Sequence, residues 1–185
     1  MKKKIYEFIF FRLMGWKIEG TIDKEIKKCI LMVVPHTSWH DFYLGIFTRG
    51  IIGLKMNFIG KKELFRFPLG LYFRWMGGEP IDRSGNQNKV EAIAKIFEKK
   101  NEFRLAIAPE GTRKKVEKLK SGFYYIALQA GIPIIPVAFN FGEKSVQIGF
   151  PNYLTGEYEN DLALLVRHFE GVVGKIPKYS FGIEK

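Results

Sequence analysis

The sequence lacks most of the features that mark secreted, membrane-spanning or multidomain proteins. Its 185 residues include one cysteine, Cys29, so no disulfide can form within the chain, which fits a reducing cytoplasm. No stretch approaches the roughly 18 uninterrupted apolar residues that a membrane-spanning helix requires. Internal repeats, low-complexity segments and linkers rich in proline, glycine and serine are also missing. We therefore expect a single domain over residues 1–185, in a cytoplasmic protein without a transmembrane segment.

Acidic residues are few relative to basic ones. The chain has 30 Lys and Arg residues against 19 Asp and Glu residues, which gives a net charge of +11. Such a charge favours a polyanionic partner: nucleic acid, an anionic membrane or a phosphorylated substrate. The basic residues form short, separate clusters, and none is a long basic tail of the kind that binds nucleic acid. We expect an anionic membrane surface as a partner and no nucleic acid, while the alternative interpretation of the charge is that it serves solubility alone.

Hydrophobic residues make up 46% of the chain, which is enough to build a buried core. Apolar runs typical of strands alternate with helical patterns. Strands are predicted at 29–34, 56–60, 104–108, 134–139 and 145–150. Helices are predicted at 3–13, 40–49, 86–100 and 121–130. This alternation predicts an α/β fold, a single domain with a mostly parallel or mixed central sheet flanked by helices. In such sheets, sites lie beyond the carboxyl ends of the strands.

The first candidate catalytic residue, His36, follows the predicted strand 29–34. Asp41 lies in the next stretch, which is predicted to be helical with Thr37 or Ser38 as its cap. A carboxylate there can accept from one ring nitrogen of the histidine and leave the other nitrogen free to take a proton from a substrate hydroxyl. The pair suits activation of an alcohol that attacks an acyl group. A turn with a capping cluster and no catalytic role would produce the same pattern.

Two other histidines and the cysteine are weaker candidates. His40 competes with His36 as the base, but its side chain is next to Asp41 in sequence, which usually directs the two side chains apart. His168 lies in a polar helical stretch and is expected at the surface. Cys29 lies in an apolar run, so we expect a buried, unreactive thiol.

The second cluster, residues 109–113, reads Pro-Glu-Gly-Thr-Arg and directly follows the predicted strand 104–108. Gly111 permits close approach of the backbone, Thr112 offers a hydroxyl, and Arg113 offers a planar fork for a phosphate. Glu110 would repel phosphate, so it is expected to brace Arg113 or to accept from a substrate hydroxyl. A solvated turn with an ion pair is the alternative.

Two further segments complete the set. Arg83, next to Asp82, is a second cation for the same anion, or one half of a surface ion pair between neighbours. In 132–139, two prolines flank an apolar pair, which predicts a rigid entry into a buried strand.

Together and in this order, these segments resemble the glycerol-phosphate and lysophosphatidic-acid (1-acylglycerol-3-phosphate) acyltransferase family. The family's first block is a histidine, four residues and an aspartate, matched by His36 and Asp41. The later blocks are matched by residues 81–83, by Pro-Glu-Gly-Thr-Arg at 109–113 and by Ile-Pro-Val at 135–137. The sequence has no G-x-S-x-G elbow for a serine nucleophile, which agrees with a family that forms no acyl-enzyme intermediate.

The resemblance implies an O-acyltransferase of phospholipid synthesis that works as a peripheral protein at the cytoplasmic face of the membrane. It implies acyl-CoA or acyl-carrier protein as co-substrate, a lyso-lipid acceptor, and neither a cofactor nor a metal. The implied catalytic residues are His36, the base, and Asp41. The implied binding residues for the acceptor and its phosphate are Arg83, Glu110, Gly111, Thr112 and Arg113.

Several alternatives stay open on the sequence alone. The acceptor could be another lyso-lipid, such as a lyso-aminolipid, which would need fewer phosphate-binding arginines. Water in place of the acceptor would make the protein a hydrolase. A basic membrane- or nucleic-acid-binding module without catalysis would need neither a base nor a dyad.

Residues 1–14 are the candidate membrane anchor. Three lysines at 2–4 precede an apolar segment, which predicts a helix on an anionic membrane surface. The alternative is that this helix packs its phenylalanines on the protein's own core, and a mixture of the two is also consistent with the pattern.

Overall fold

A mixed five-stranded sheet forms the centre of the protein in the computed structural model, which describes residues 2–81 and 89–182. Its strands are β1 (Lys17–Glu19), β2 (Lys28–Val34), β5 (Phe103–Ile107), β6 (Ile134–Asn140) and β7 (Ser145–Ile148). A separate two-stranded parallel sheet consists of β3 (Phe58–Lys61) and β4 (Gly78–Ile81).

The strand order of the large sheet is β1-β7-β6-β2-β5. Strand β2 pairs in parallel with β6 on one side and with β5 on the other, and Leu31 is opposite both Ile135 and Ala106. Strands β6 and β7 are antiparallel, and β1 is parallel to β7. The predicted α/β fold with a mixed central sheet is therefore confirmed.

Helices cover both faces of this sheet. They are α1 (Lys2–Glu7), a π-helical segment (Phe8–Leu13), α2 (His40–Ile52), α3 (Leu69–Trp75), α4 (Lys89–Lys99), α5 (Gly122–Ala130), α6 (Tyr158–Arg167) and the 3₁₀ helices Lys62–Phe65 and Pro177–Tyr179. All four predicted helices are found, although residues 86–88 of the third lie outside the described part of the chain. Helix α2 continues three residues past its predicted end, to a left-handed Gly53 with φ of 77°.

The side chains of β2 alternate between two cores because successive residues of a strand point to opposite faces. Ile30, Met32 and Val34 pack with helices α4, α5 and α6. Cys29 and Leu31 pack on the opposite face, with the N-terminal segment and α2. The chain thus forms three layers, helices–sheet–helices. Burial raises the pKa of the Cys29 thiol to about 12, so it is protonated and unreactive at neutral pH.

The N-terminal segment packs part of its apolar surface on the core, as one prediction had it, and its contact with a membrane stays a prediction. Phe10 is fully buried in the second core, and the ring of Tyr6 meets Phe47 of α2 edge-on at 5.7 Å between centroids. Four apolar side chains of the segment are exposed: Ile5, Phe8, Phe11 and Leu13. Among the described residues, none of the helices has the length and apolar character needed to cross a bilayer.

Candidate active site

The candidate site lies at the edge of the sheet where β2 and β5 end. These neighbouring strands are parallel, and Met32 is opposite Ile107 near their carboxyl ends. The chain then leaves β2 toward His36 and leaves β5 toward Glu110. The parallel pairing therefore brings the first and second sequence clusters to the same edge, as expected for an α/β sheet.

His36 and Asp41 form a close pair. Nδ1 of His36 lies 3.0 Å from Oδ2 of Asp41, and the histidine side chain is 28% exposed whereas the aspartate side chain is 2% exposed. A carboxylate can only accept from this nitrogen, so the geometry favours the tautomer with its proton on Nδ1. Nε2 is then the unprotonated nitrogen that can take a proton from a substrate. The structure thus supplies the predicted pairing, and the role as base stays a prediction.

Asp41 also fixes the loop that carries the histidine. Its Oδ2 accepts the backbone N–H groups of Thr37 and Ser38, each at 3.0 Å. Trp39, and neither Thr37 nor Ser38, is at the N-cap position of α2 and makes no side-chain capping bond, although Oγ of Ser38 accepts the N–H of His40, the first residue of the helix, at 3.4 Å. The main interaction at this helix end runs the other way: the Asp41 carboxylate, in the first turn of α2, accepts hydrogen bonds from backbone N–H groups of the preceding loop. Three bonds therefore converge on one oxygen atom.

Glu110 is buried behind His36. Its Oε2 accepts the backbone N–H of His36 at 2.6 Å, and the residue is 2% exposed. Burial raises the pKa of this carboxyl to about 7, and the hydrogen bond from His36 and the charge of His36 act against that rise. Glu110 thus braces the backbone of the candidate base, a partner that the sequence did not suggest.

The last three residues of the Pro-Glu-Gly-Thr-Arg turn, 111–113, face solvent, whereas Pro109 is buried. Thr112 and Arg113 are exposed, and Oγ1 of Thr112 accepts the N–H of Lys114 at 3.3 Å. Gly111 has a φ of 64°, a conformation that would strain any other residue, and the flexible end of the Lys120 side chain lies beside it. Lys120 is a second cation at the turn that the motif alone did not reveal.

The proposed second arginine lies outside the described residues, together with Asp82. The structure brings together His36, Asp41 and Glu110, with Arg113 at the surface of the adjoining turn. The phosphate-binding roles of both arginines stay predictions.

The other two histidines are placed elsewhere. Nδ1 of His40 lies 2.9 Å from Oγ of Ser38, and the ring stands 4.4 Å from the exposed ring of Trp39. His40 lines a different cleft from the one at His36. His168, expected at the surface, is half-buried, with Nε2 3.2 Å from the carbonyl oxygen of Gln147.

An apolar cavity of about 270 Å³ opens beside the His36–Asp41 pair, between the sheet and α2. Its walls are mainly aliphatic and aromatic, and they include Leu31, Val33, Phe42, Ile46, Met56 and Val137. Gly45 of α2 also lines it, and no atom lies within 4 Å of the position that a Cβ would take there. A cavity of this character suits a hydrocarbon chain. The sequence did not reveal it, because its walls come from segments far apart in the chain.

Within the ranges 2–81 and 89–182, no three or more His, Cys, Asp or Glu side chains are grouped so that they could hold a metal ion.

Comparison with known proteins decides the family. The sequence model of the acyltransferase family matches residues 17–140, more than half of the chain, and this stretch contains His36, Asp41 and the turn 109–113. The chain belongs to the acyltransferase family. The resemblance drawn from the sequence blocks is thereby confirmed.

Several acyltransferases are similar to this chain in sequence. A 1-acyl-sn-glycerol-3-phosphate acyltransferase of Cocos nucifera is 42% identical over 72% of this chain and 46% of its own length. The protein of the same name from Saccharomyces cerevisiae is 36% identical over 60% of this chain and 38% of its own. For the one from Escherichia coli, the identity is 31% over 74% and 58%. The chain spans about half the length of these relatives, or less.

A solved structure shares the fold. The crystal structure of the 1-acyl-sn-glycerophosphate (LPA) acyltransferase from Thermotoga maritima superposes with a TM-score of 0.59 at 23% identity. The superposition covers 89% of this acyltransferase-family chain and 75% of the other. At that identity, the similarity concerns the fold.

Proposed function

We propose that this protein transfers a fatty acyl chain from an acyl thioester to the hydroxyl of a lysophosphatidic-acid-like acceptor, as a step in phospholipid synthesis. The observation that carries the proposal is the His36–Asp41 pair at the wall of an apolar cavity. A proton acceptor beside a space for a hydrocarbon chain is what an acyl transfer to an alcohol requires. The relatives named above support the choice of acceptor.

The chemistry follows from the protonation state of the pair. The acceptor hydroxyl gives its proton to Nε2 of His36 while its oxygen attacks the thioester carbonyl carbon. Asp41 stabilises the resulting imidazolium because its charge lies 3.0 Å from Nδ1. The carbon–sulfur bond then breaks, and the departing thiolate takes the proton back from His36. An ester and a free thiol result, and the protein returns to its starting state.

The cavity explains how the acyl chain is oriented. Its lining is largely apolar, so a fatty chain gains free energy by leaving water, at about 25 cal/mol per Å² of buried apolar surface. With the chain in the cavity, the thioester at its end is placed at the edge of the sheet near His36. Both acyl-CoA and acyl-carrier protein present the same acyl thioester and are proposed as donors.

The polar end of the acceptor is assigned to the basic turn beside the cavity. Arg113 is exposed in the turn after Glu110, where its guanidinium is accessible to a phosphate in solvent. Arg83 is proposed as its counterpart. Because lyso-lipids reside in membranes, we place the protein at an anionic membrane surface, with the exposed side chains Ile5, Phe8 and Phe11 of the N-terminal segment in contact with lipid.

One experiment tests the proposed function directly. The purified protein is incubated with acyl-CoA and a panel of lyso-lipids that includes lysophosphatidic acid and a lyso-aminolipid, and products are identified by mass spectrometry. We expect acylated lysophosphatidic acid. Acylation of the lyso-aminolipid alone would replace the acceptor, release of free fatty acid alone would indicate a hydrolase, and no product with any acceptor would refute the proposal.

Variants of the candidate base complete this test. His36→Ala should lower the rate by roughly a hundred- to ten-thousandfold, the usual contribution of a general base. Asp41→Asn should lower it severely, because the charge that stabilises the imidazolium is lost. His40→Ala is the matched control and should retain most of the activity. An active His36→Ala protein together with an inactive His40→Ala protein would transfer the role of base to His40.

A further inference from the structure

The crossover between β3 and β4 presents large apolar side chains to solvent. Phe67 is 86% exposed and Trp75 is 70% exposed, and four more apolar side chains in the same stretch are exposed by about half or more. We call the six together the crossover surface: Leu64, Phe67, Leu69, Leu71, Tyr72 and Trp75. Single exposed apolar residues are ordinary, whereas six within twelve residues of the chain are typical of an interaction site.

The backbone beneath the crossover surface is firmly attached to the protein. Phe65 is buried and packs against Phe73, with 6.0 Å between the ring centroids. Gly60 and Gly78 leave room for the Phe65 ring, and a side chain on Gly70 would overlap the carbonyl group of Phe65. Phe65 and Phe73 therefore supply the apolar packing that holds this segment on the protein. The six exposed side chains are not needed for that packing.

The charge around this surface is positive. Residues 61–75 contain four basic residues and one acidic residue, Glu63. Lys61, Arg66 and Arg74 are all exposed, and the guanidinium of Arg74 lies 5.5 Å from the centre of the Phe65 ring. Aromatic and aliphatic side chains bordered by cations match the interface of an anionic bilayer, where the apolar groups enter the acyl region and the cations meet the phosphates.

The crossover is connected to the cavity directly through Met76 and to the N-terminal segment indirectly through helix α2. Met76 follows α3 directly and lines the cavity, and its carbonyl accepts a hydrogen bond from the guanidinium of Arg49 in α2. The next residue of α2, Gly50, lies against the ring of Tyr6 in α1. The segments that carry the two exposed apolar groups, residues 2–13 and 64–75, are thus both tied to neighbouring residues of α2, beside the space proposed for the acyl chain.

We propose that the crossover surface inserts into an anionic membrane and, with the N-terminal segment, holds the apolar cavity at the lipid interface. The inference rests on the proposed function for its purpose, because a membrane-resident acceptor then reaches His36 without crossing water. The binding itself can be measured without any catalysis, so the two proposals fail separately.

The test compares two double variants with the full chain. Phe67→Ser/Trp75→Ser removes the two most exposed residues of the surface. Phe150→Ser/Tyr153→Ser is the matched control, since both residues are also highly exposed but follow β7 at the opposite end of the sheet from His36. Each protein is sedimented with vesicles made of equal parts of phosphatidylcholine and phosphatidylglycerol, and its folding is checked by circular dichroism.

We expect the crossover variant to bind these vesicles about tenfold more weakly or worse, since removal of one inserted aromatic side chain has an effect of that order. Its activity on lysophosphatidic acid in vesicles should fall in parallel, while activity on a dispersed short-chain acceptor is retained. Binding equal to that of the control variant would overturn the proposal. If analytical ultracentrifugation shows that the wild-type protein is a dimer and the crossover variant a monomer, the surface binds a second copy of the chain and the proposal is overturned.

A fluorescence measurement keeps the proposal falsifiable if the double variant fails to fold. In a Trp39→Phe protein, the remaining tryptophans are the buried Trp16 and the exposed Trp75. The emission of Trp75 should shift to shorter wavelength when anionic vesicles are added, because its ring enters an apolar environment. An unchanged spectrum in protein that sediments with the vesicles would place the contact elsewhere. Vesicle binding without any acyl transfer would leave this inference standing and reject the proposed function.

Discussion

Glu110→Gln should make the protein more stable than the wild type at alkaline pH and should change its stability little at acidic pH. The reason is the position of this carboxyl, which is 2% exposed and accepts the backbone N–H of His36. A glutamine oxygen can accept the same hydrogen bond without carrying a charge. The substitution therefore keeps the brace on His36 and removes only the cost of a buried anion.

The magnitude follows from the pKa. Burial raises the pKa of Glu110 from its ordinary value of 4.5 to about 7, so the folded protein holds this proton more tightly than the unfolded chain does. The corresponding stability is fully present below about pH 4.5 and is lost as the pH rises to about 7, where it levels off. Each pKa unit corresponds to 1.36 kcal/mol, so the difference in unfolding free energy between variant and wild type should grow by about 3 kcal/mol over this window.

Urea denaturation at a series of pH values, followed by circular dichroism, gives the required free energies. Glu170→Gln is the matched control, because Glu170 is exposed and its carboxylate stays in water in both states. The control difference should stay nearly constant with pH. A Glu110→Gln difference that is equally independent of pH would refute the argument that burial keeps this carboxyl protonated.

Two further predictions concern substrates. Gly45→Leu places a side chain where the cavity has room, so the preference should shift from long to short acyl-CoA chains in a competition assay. Gly122→Leu is the control, at a helical position with equal space but outside the cavity lining, and should cause no shift. An equal shift in both variants would reject the acyl site. Arg113→Lys keeps the charge but loses the bidentate hydrogen bonding of a guanidinium, so KM for a phosphorylated acceptor should rise while KM for the donor changes little. An equal rise in KM for a non-phosphorylated acceptor would contradict a phosphate-binding role for Arg113.

The edge that carries the site could be predicted from the sequence, because strands β2 and β5 both read as apolar runs and each is followed by a reactive cluster. Because the two strands pair in parallel, their carboxyl ends lie at the same edge of the sheet, and the two clusters meet there. The contact between Glu110 and the backbone of His36 could not be predicted. A bond from a side chain to a backbone N–H 74 residues away leaves no pattern in the residue types.

The elements that the sequence analysis missed have weak or misleading patterns. Strand β4 contains Gly78 and Pro80, which both disfavour strands. Helix α3 is apolar on its exposed side as well as its packed side and is interrupted by Gly70, so it lacks the polar face by which a surface helix is recognised. Arg104 of β5 is 1% exposed and donates to the carbonyls of Lys24 and Ile26, although its charge is typical of a surface residue.

The two supports of His36 differ in how much of the chain must be ordered before they exist. The pair with Asp41 spans five residues and needs only the loop and the first turn of α2, so closing it costs little chain entropy. The bond to Glu110 needs β5 in register beside β2. If β5 separated from β2, the pair of His36 and Asp41 could persist, but the hydrogen bond from the His36 backbone N–H to Glu110 would be lost. The orientation of the histidine backbone therefore depends on the pairing of these two strands.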